Sequence, residues 1–514
     1  MTQPIPAETI QGDSLRRVLV VGNGMVGARF AEELRQRDPD SERFAITVIG
    51  EEPHESYNRV LLSTMLAGKI TALETRLKPD GWWADRDIEI LTGVAVTDVD
   101  VTERTVSLAG TAPTVRQWDE LVLATGSSPF VPPMKGDTSE GAGVVAYRTI
   151  DDCARIAELA TVAEHAVVIG GGLLGLEAAR GLLGRGIHVT VVHAADFPME
   201  RQLDADCGAV LTRVVRELGA HLVLGRFVVA RHAAGVRRSV ELDDGAELPA
   251  DLVVVAAGVR PRTVLAQRAG LLVDRGIVVD DRLATSAPHV HALGECSQHR
   301  GIVPGLVQPG WDQARVLAEV LSGGEDSRYE GTAVLTRLKA HDIDLTSMGT
   351  VDVGVHDRDH EVLAFTDPRR GRYAKLVLHS DRLVGAILLG VGDAAGPLAQ
   401  LYDTSAVVPR DRLALMLGRA VTRAGTPEIL NLAEMPGGTV ICRCNAVTKA
   451  GIVAAHEAGC TSVATVAEAT RATTGCGSCT SAVEGLCAWL RSADPPIPAA
   501  SPRTVPDVPS EGAA

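Results

Sequence analysis

The chain has 514 residues, of which 46% are hydrophobic and 3% aromatic, and a net charge of −15. That length suits about three or four domains, and the acidic balance argues against nucleic acid, which selects a basic footprint. No apolar run approaches the ~20 residues of a membrane span, the N-terminus has no apolar signal-peptide core, and nine cysteines with none before Cys153 suit a reducing cytoplasm.

The first predicted strand is Arg17-Val-Leu-Val-Val-Gly22, followed by Asn23-Gly24-Met-Val-Gly27, a helix from Ala28 to Arg37, and a strand over Phe44–Ile49. The same order returns at Ala166-Val-Val-Ile-Gly170, with Gly172 and Gly175, a helix through Leu183 and a strand from His188 to Val192. Strand, glycine turn, helix and strand make the βαβ unit of a doubly wound sheet. From Thr332 to about Leu417 the pattern changes to short alternating strands, such as those starting at Ala374 and Leu383. This stretch reads as a separate small α/β region. Gly425-Thr-Pro and Met435-Pro-Gly-Gly lead to a compact unit from Thr439 to Leu490, and a proline-rich tail over 492–514 is expected to be disordered.

Gly22-x-Gly24-x-x-Gly27 stands between a strand and a helix, where glycines let a pyrophosphate approach the helix N-terminus. An acid about 20 residues later binds the ribose in such units, so Glu51 is the candidate and Glu52 the runner-up. The second fingerprint comprises Gly170, Gly172 and Gly175, then Glu177, and its second strand ends in His193 instead of an acid. The usual ribose carboxylate is missing there, and no arginine follows at once to clamp a 2′-phosphate, so NADH is favoured over NADPH.

Leu121-Val-Leu-Ala-Thr-Gly126, Val254-Val-Ala-Ala-Gly258-Val-Arg-Pro261 and Val290-His-Ala-Leu-Gly294-Glu295-Cys296 complete a pattern. It resembles the two-dinucleotide flavoprotein family of pyridine-nucleotide reductases. The resemblance implies FAD at the first site, NAD(P)H at a second site inserted into the FAD domain, and a late return to the flavin. By position, Glu51 would bind the adenosine ribose, Arg59, Thr125 and Gly126 would flank the cofactor, and Gly294 and Glu295 would reach its ribityl chain. Val96 is counted with these cofactor-binding positions. Two departures stand out: Glu295 replaces a commoner Asp, and Thr64 stands where related reductases carry a flavin-facing Lys. Residues 1–152 hold no cysteine, so the flavin needs an acceptor other than a protein disulfide in that domain.

Cys442-Arg-Cys444 and Cys476-Gly-Ser-Cys479 provide four thiolates in two close pairs. Such a set holds a [2Fe–2S] cluster or Zn²⁺, and the tight C-x-C leans towards iron and sulfide. Free thiols are the third reading. The segment from Val440 to Cys479 also resembles bacterioferritin-associated ferredoxin modules. The remaining cysteines read as small buried hydrophobes, and the fourteen histidines form no metal spacing.

Gly294-Glu-Cys-Ser-Gln-His-Arg-Gly301, Gly305-Leu-Val-Gln-Pro-Gly310, Met199-Glu-Arg-Gln-Leu-Asp204 and Thr336-Arg-Leu-Lys339 resemble the N-terminal half of NADH-dependent assimilatory nitrite reductase large subunits. No cysteine lies beyond Cys487, so the resemblance implies an electron-input half, similar to the electron-transfer subunit of assimilatory nitrate reductases. The expected fold is α/β: an FAD domain over 16–148 and 276–325, an NAD(P)H domain over 149–275, an interface domain over 330–425 and a small helical [2Fe–2S] domain over 437–491. Electrons would pass from NAD(P)H through FAD and the cluster to a nitrate or nitrite reductase catalytic subunit. No protein residue is assigned as a catalytic acid or base, and the oligomeric state, a homodimer included, is open. A flavin and iron–sulfur subunit of an amine or opine dehydrogenase is the rival enzyme reading. A ferredoxin-like docking module is the rival binding reading.

Overall fold

A computed structural model describes residues 15–110, 114–233, 238–338, 340, 342–416, 435–442, 445, 447–474 and 479–493. The chain divides into two compact units, Met1–Ile429 and Leu430–Ala514.

In the first unit, strand Arg16–Val21 runs from two arginines into the apolar, valine-rich stretch Val18 to Val21, all of it buried. A strand covered on both faces belongs in the middle of a parallel sheet. It lies third in a five-stranded sheet ordered Val290–Ala292, Glu120–Leu123, Arg16–Val21, Phe44–Gly50 and Ile88–Thr92, all parallel. Helix Met25–Gln36 packs on the late helix Val307–Leu321, so residues almost 300 positions apart share one core. The strand Val290–Ala292 returns to this sheet after a long excursion and carries Gly294 and Glu295 back to the first fingerprint.

The excursion forms a second parallel sheet, ordered Val144–Ala146, Leu252–Val255, His165–Ile169, His188–His193 and His221–Leu224. Its helices are marked by local signals. Thr149 and Asp152 form a reciprocal capping box at helix Ile150–Leu159, and Asp204 caps helix Ala205–Glu217 by accepting from the Cys207 N–H at 3.0 Å. The outgoing segment Ser127–Pro129 pairs antiparallel with the returning segment Val259–Pro261. This two-stranded link joins the two sheets beside Thr125 and Gly126.

A third, antiparallel sheet is ordered Leu335–Leu338, Leu345–Gly349, Arg382–Leu389, Arg372–His379 and Glu361–Asp367. At its centre Tyr373 to Leu378 are buried without a break. Each face has its own cover. Tyr373, Ile387 and Leu389 join the core of the second parallel sheet, while Ala374, Leu376 and Leu388 pack with Leu398 and Leu401 of helix Ala395–Thr404. Lys375 is accommodated by donating to Asp204 Oδ2 at 2.8 Å and the Val351 carbonyl at 2.9 Å.

In the second unit a small hairpin of Val440–Cys442 and Val447–Thr448 precedes helices Lys449–Glu457, Val463–Thr470 and Thr480–Ala493. Ile452, Val466, Val483 and Leu486 are fully buried and form its core together with Cys442, Cys479 and Cys487. The last helix reaches Ala493, two residues into the expected tail, and the remainder of that tail lies outside the described residues. Among the described residues, no helix is long and apolar enough to cross a membrane.

Candidate functional site

At the first fingerprint the three glycines have separate physical tasks. Gly22 holds φ +122°, and a Cβ there would lie 2.1 Å from the Ala124 carbonyl oxygen. A Cβ at Gly27 would strike the Gly22 carbonyl at 2.0 Å, so this glycine lets the helix lie against the strand end. Gly24 differs, because a Cβ there meets nothing within 4 Å. It is the N-cap of helix Met25–Gln36, with no side-chain cap and no acid in the first turn. Free N–H groups and an uncompensated dipole therefore face open space, which suits a pyrophosphate. The donor set fits FAD on this observation.

Around that opening the structure gathers most of the expected residues. Glu51 follows the strand Phe44–Gly50 and pairs with Arg262 at 2.5 Å, and Arg262 also donates to Ser128 at 2.8 Å. Glu52 turns the other way, accepting from Tyr57 Oη at 2.6 Å and pairing with Arg59. Burial works to raise the Glu52 carboxyl, but Arg59 and the Tyr57 hydroxyl outweigh it and hold it below its ordinary range. Arg59 stacks over the Tyr57 ring at 4.8 Å and donates to the Arg148 carbonyl at 3.1 Å. Thr125 Oγ1 donates to the Arg262 carbonyl at 2.8 Å, and Gly126 holds φ +69° in the turn beside it. Gly294 has φ +70° and lies against Val26 at the start of the fingerprint helix, with its N–H bonded to Gln313 Oε1 at 2.8 Å. Glu295 accepts from Ser127 Oγ at 2.7 Å and pairs with Arg148.

Val96 stands further off, in strand Val96–Asp100 against the first core. The segment leading to it is tied to the acidic pair by Gly93 N–H to the Glu52 carbonyl and Val94 N–H to the Gly50 carbonyl, both 2.9 Å.

The second fingerprint repeats the design. Gly170 holds φ +114°, a Cβ at Gly175 would lie 1.9 Å from the Gly170 carbonyl oxygen, and a Cβ at Gly172 would meet nothing within 4 Å. Gly172 is the uncapped start of helix Leu173–Leu183. Glu177 is buried on that helix. Burial, then the charges of Cys153 and Glu177, push the hydroxyl of the nearby Tyr147 well up. His193 ends its strand with Nδ1 accepting from the Gly171 N–H at 3.1 Å and Nε2 bonded to Glu200 Oε2 at 3.0 Å.

In the second unit, Cys442 and Cys479 are both buried in one small core, and Thr473 N–H donates to Cys479 Sγ at 3.3 Å. An amide bonded to sulfur supports a thiolate ligand. Cys444 and Cys476 lie outside the described residues. The thiols near the first site are of another kind. Burial pushes Cys153 up to about 12 and also raises Cys296, so neither is a ready thiolate.

Sequence reasoning missed Ser127, Arg148, Glu200 and Arg262. Only Glu200 lay within a quoted motif, and its tie to His193 is made by a loop whose path the sequence does not specify.

Two uncapped glycine helices on parallel sheets, joined by a return strand, define a two-dinucleotide flavoprotein. The chain belongs to the pyridine nucleotide-disulphide oxidoreductase family, whose model matches residues 16–316. The rubredoxin NAD⁺ reductase C-terminal domain matches residues 335–398, and the BFD-like [2Fe–2S] binding domain matches residues 440–489. The matched domain families support FAD, NAD(P)H and a [2Fe–2S] cluster as its cofactors. The chain is 37% identical over 92% of its length to a nitrite reductase [NAD(P)H] of Bacillus subtilis, covering 57% of that protein. It is 35% identical over 95% of its length to the assimilatory nitrate reductase electron transfer subunit of the same organism, covering 61% of it. Thus it spans a little over half the length of these curated relatives. Among solved structures, it is similar to the covalent putidaredoxin reductase–putidaredoxin complex, at 27% identity and a TM-score of 0.70 over 79% of this chain and 97% of that one.

Proposed function

We propose that this protein is the electron-input component of a nitrogen-assimilation reductase, taking a hydride from NAD(P)H and delivering single electrons to a nitrate or nitrite reductase partner. It would work in a reducing cytoplasm, which suits buried thiols such as Cys153, Cys207 and Cys296. The observation that carries this reading is the position of the reactive thiols. Residues before Cys153 hold none, Cys153 and Cys296 are buried and protonated, and the paired cysteines sit in the C-terminal unit.

Flavin converts a two-electron hydride donor into one-electron steps, and a [2Fe–2S] cluster carries one electron at a time. The chain's residues supply placement. The amides after Gly24 and Gly172 would hold the two pyrophosphates, and Glu51 would accept from the adenosine ribose of FAD. Arg59 and Arg148, joined by a bond from Arg59 to the Arg148 carbonyl, are each balanced by a carboxylate, Glu52 and Glu295. Cys442, Cys444, Cys476 and Cys479 would hold the cluster. The relatives named for nitrite and nitrate reduction support the assignment of the acceptor.

The test is reduction of a purified nitrate or nitrite reductase catalytic component by NADH through this protein. Transfer to that component, with no flavin bleaching by opines or amines, supports the reading. Bleaching by an amine or opine and none by NADH or NADPH contradicts it.

A further inference from the structure

The residue that ends the second strand of a dinucleotide-binding unit normally offers a carboxylate to the adenosine ribose. His193 occupies that place, yet the structure brings a carboxylate to it from elsewhere. We propose that Glu200, held by His193, reads the adenosine ribose of the incoming dinucleotide and selects NADH over NADPH. The proposal rests on the second fingerprint being the dinucleotide site.

Direction is fixed by hydrogen bonding. A backbone N–H only donates, so the Gly171 N–H at 3.1 Å makes Nδ1 of His193 an acceptor and leaves the proton of the neutral ring on Nε2. That proton points at Glu200 Oε2, 3.0 Å away. The ring packs directly against the fingerprint, because a Cβ on Gly171 would come within 2.8 Å of it. The loop after the strand then returns to the same glycine: Met199, fully buried at φ +58°, donates its N–H to the Gly171 carbonyl at 3.0 Å. Glu200 is the next residue, so it is fixed at the strand end although seven positions separate it from His193.

The carboxylate keeps one oxygen, Oε1, outside the histidine bond, and its side chain is 36% exposed. An ionised carboxylate accepts hydrogen bonds from a 2′,3′-diol but repels the dianionic 2′-phosphate of NADPH. Two arginines lie close and must be weighed. Arg226 donates its backbone N–H to the His193 carbonyl, but its guanidinium is held by Asp244 at 2.9 Å. Arg201 Nε lies 3.9 Å from Oε1 of Glu200 itself, on a side chain 85% exposed, so it is a loose, solvent-screened partner of that oxygen and the cation a 2′-phosphate would compete for. His193 acts as a positioning residue, and Glu200 makes the contact.

NAD⁺ and NADP⁺ do not reduce the flavin, so their binding to the FAD-loaded protein by calorimetry measures selection apart from turnover. The parent protein should bind NAD⁺ at least about tenfold more tightly than NADP⁺. Glu200→Gln should narrow that ratio mainly by strengthening NADP⁺ binding, and His193→Leu should narrow it in the same direction. Gly172→Val should lose both ligands. Equal or tighter NADP⁺ binding by the parent protein overturns the proposal without need of any variant. An unchanged ratio in Glu200→Gln also overturns it, as does a loss of NADP⁺ binding confined to Arg201→Ala. If the parent protein binds neither nucleotide, the dinucleotide reading of the second fingerprint fails and takes this proposal with it.

Discussion

Arg148 and Glu295 form an ion pair at the place where the chain crosses between its two parallel sheets. Arg148 lies two residues beyond Val144–Ala146, the edge strand of the second sheet, and Glu295 lies three beyond Val290–Ala292, the edge strand of the first. Ser127, on the outgoing link, completes the triangle by donating to Glu295 at 2.7 Å and accepting from Arg148 at 2.8 Å. One carboxylate thus joins the outgoing segment, the start of the excursion and the return. Arg148→Ala leaves the carboxylate of Glu295 short of its charge partner in a part-buried site, which costs about 1–3 kcal/mol. The expected result is a lower melting temperature and faster FAD loss, with part of the melting shift recovered by excess FAD.

Gly24→Val separates folding from flavin binding. The site has room for a Cβ and ordinary negative φ, so the protein should fold as the parent does. The new side chain would fill the space in front of the helix amides, and the purified variant should carry no FAD. Absorbance at the flavin bands, set against circular dichroism of the same sample, checks both halves.

Asp204 holds the third sheet to the second. It caps helix Ala205–Glu217 while accepting from Tyr373 Oη at 2.7 Å and Lys375 Nζ at 2.8 Å. Asn at this position keeps a capping oxygen but removes the charge, leaving the Lys375 ammonium buried with a single carbonyl partner. Breaking a buried pair in this way costs about 3–5 kcal/mol. Denaturant titration of Asp204→Asn should show that loss, and Asp204→Ala a somewhat larger one because the cap goes too.

Glu120 makes stability depend on acid. Burial works to raise its carboxyl, but bonds from His291 and His289 and the charge of Arg16 outweigh it and hold it at about 2, against an ordinary 4.5. The native state therefore binds fewer protons than the unfolded state between these values. The stabilisation is complete above pH 4.5 and is lost as the pH falls towards 2. It amounts to on the order of 2–3 kcal/mol. Unfolding free energies measured down this range should fall more steeply for the parent than for Glu120→Gln.

Both fingerprints were legible in the sequence because their glycines answer backbone demands that no other residue meets: positive φ at Gly22 and Gly170, and close approach at Gly27 and Gly175. The separate fates of Glu51 and Glu52 were not legible. They are adjacent, and only the strand end decides which one faces Arg262 and which faces Arg59. The His193–Glu200 contact depends on a loop that doubles back through a left-handed methionine, for which the sequence holds no signal. The alternation of the strands around Tyr373 was legible, but not that two different cores cover their two faces, because one cover, the second parallel sheet, is distant in sequence.

On the proposed route electrons leave through the C-terminal cysteines and not from the flavin directly. Cys476→Ser removes one of the four proposed cluster thiolates and leaves both fingerprints intact. Rapid mixing with NADH, followed at the flavin bands and at the reduced partner, measures the two halves of the route in one experiment. The flavin should bleach at nearly the parent rate while transfer to the nitrate or nitrite reductase component collapses. Full transfer to that component by Cys476→Ser would contradict this route, and would make the C-terminal unit a docking element.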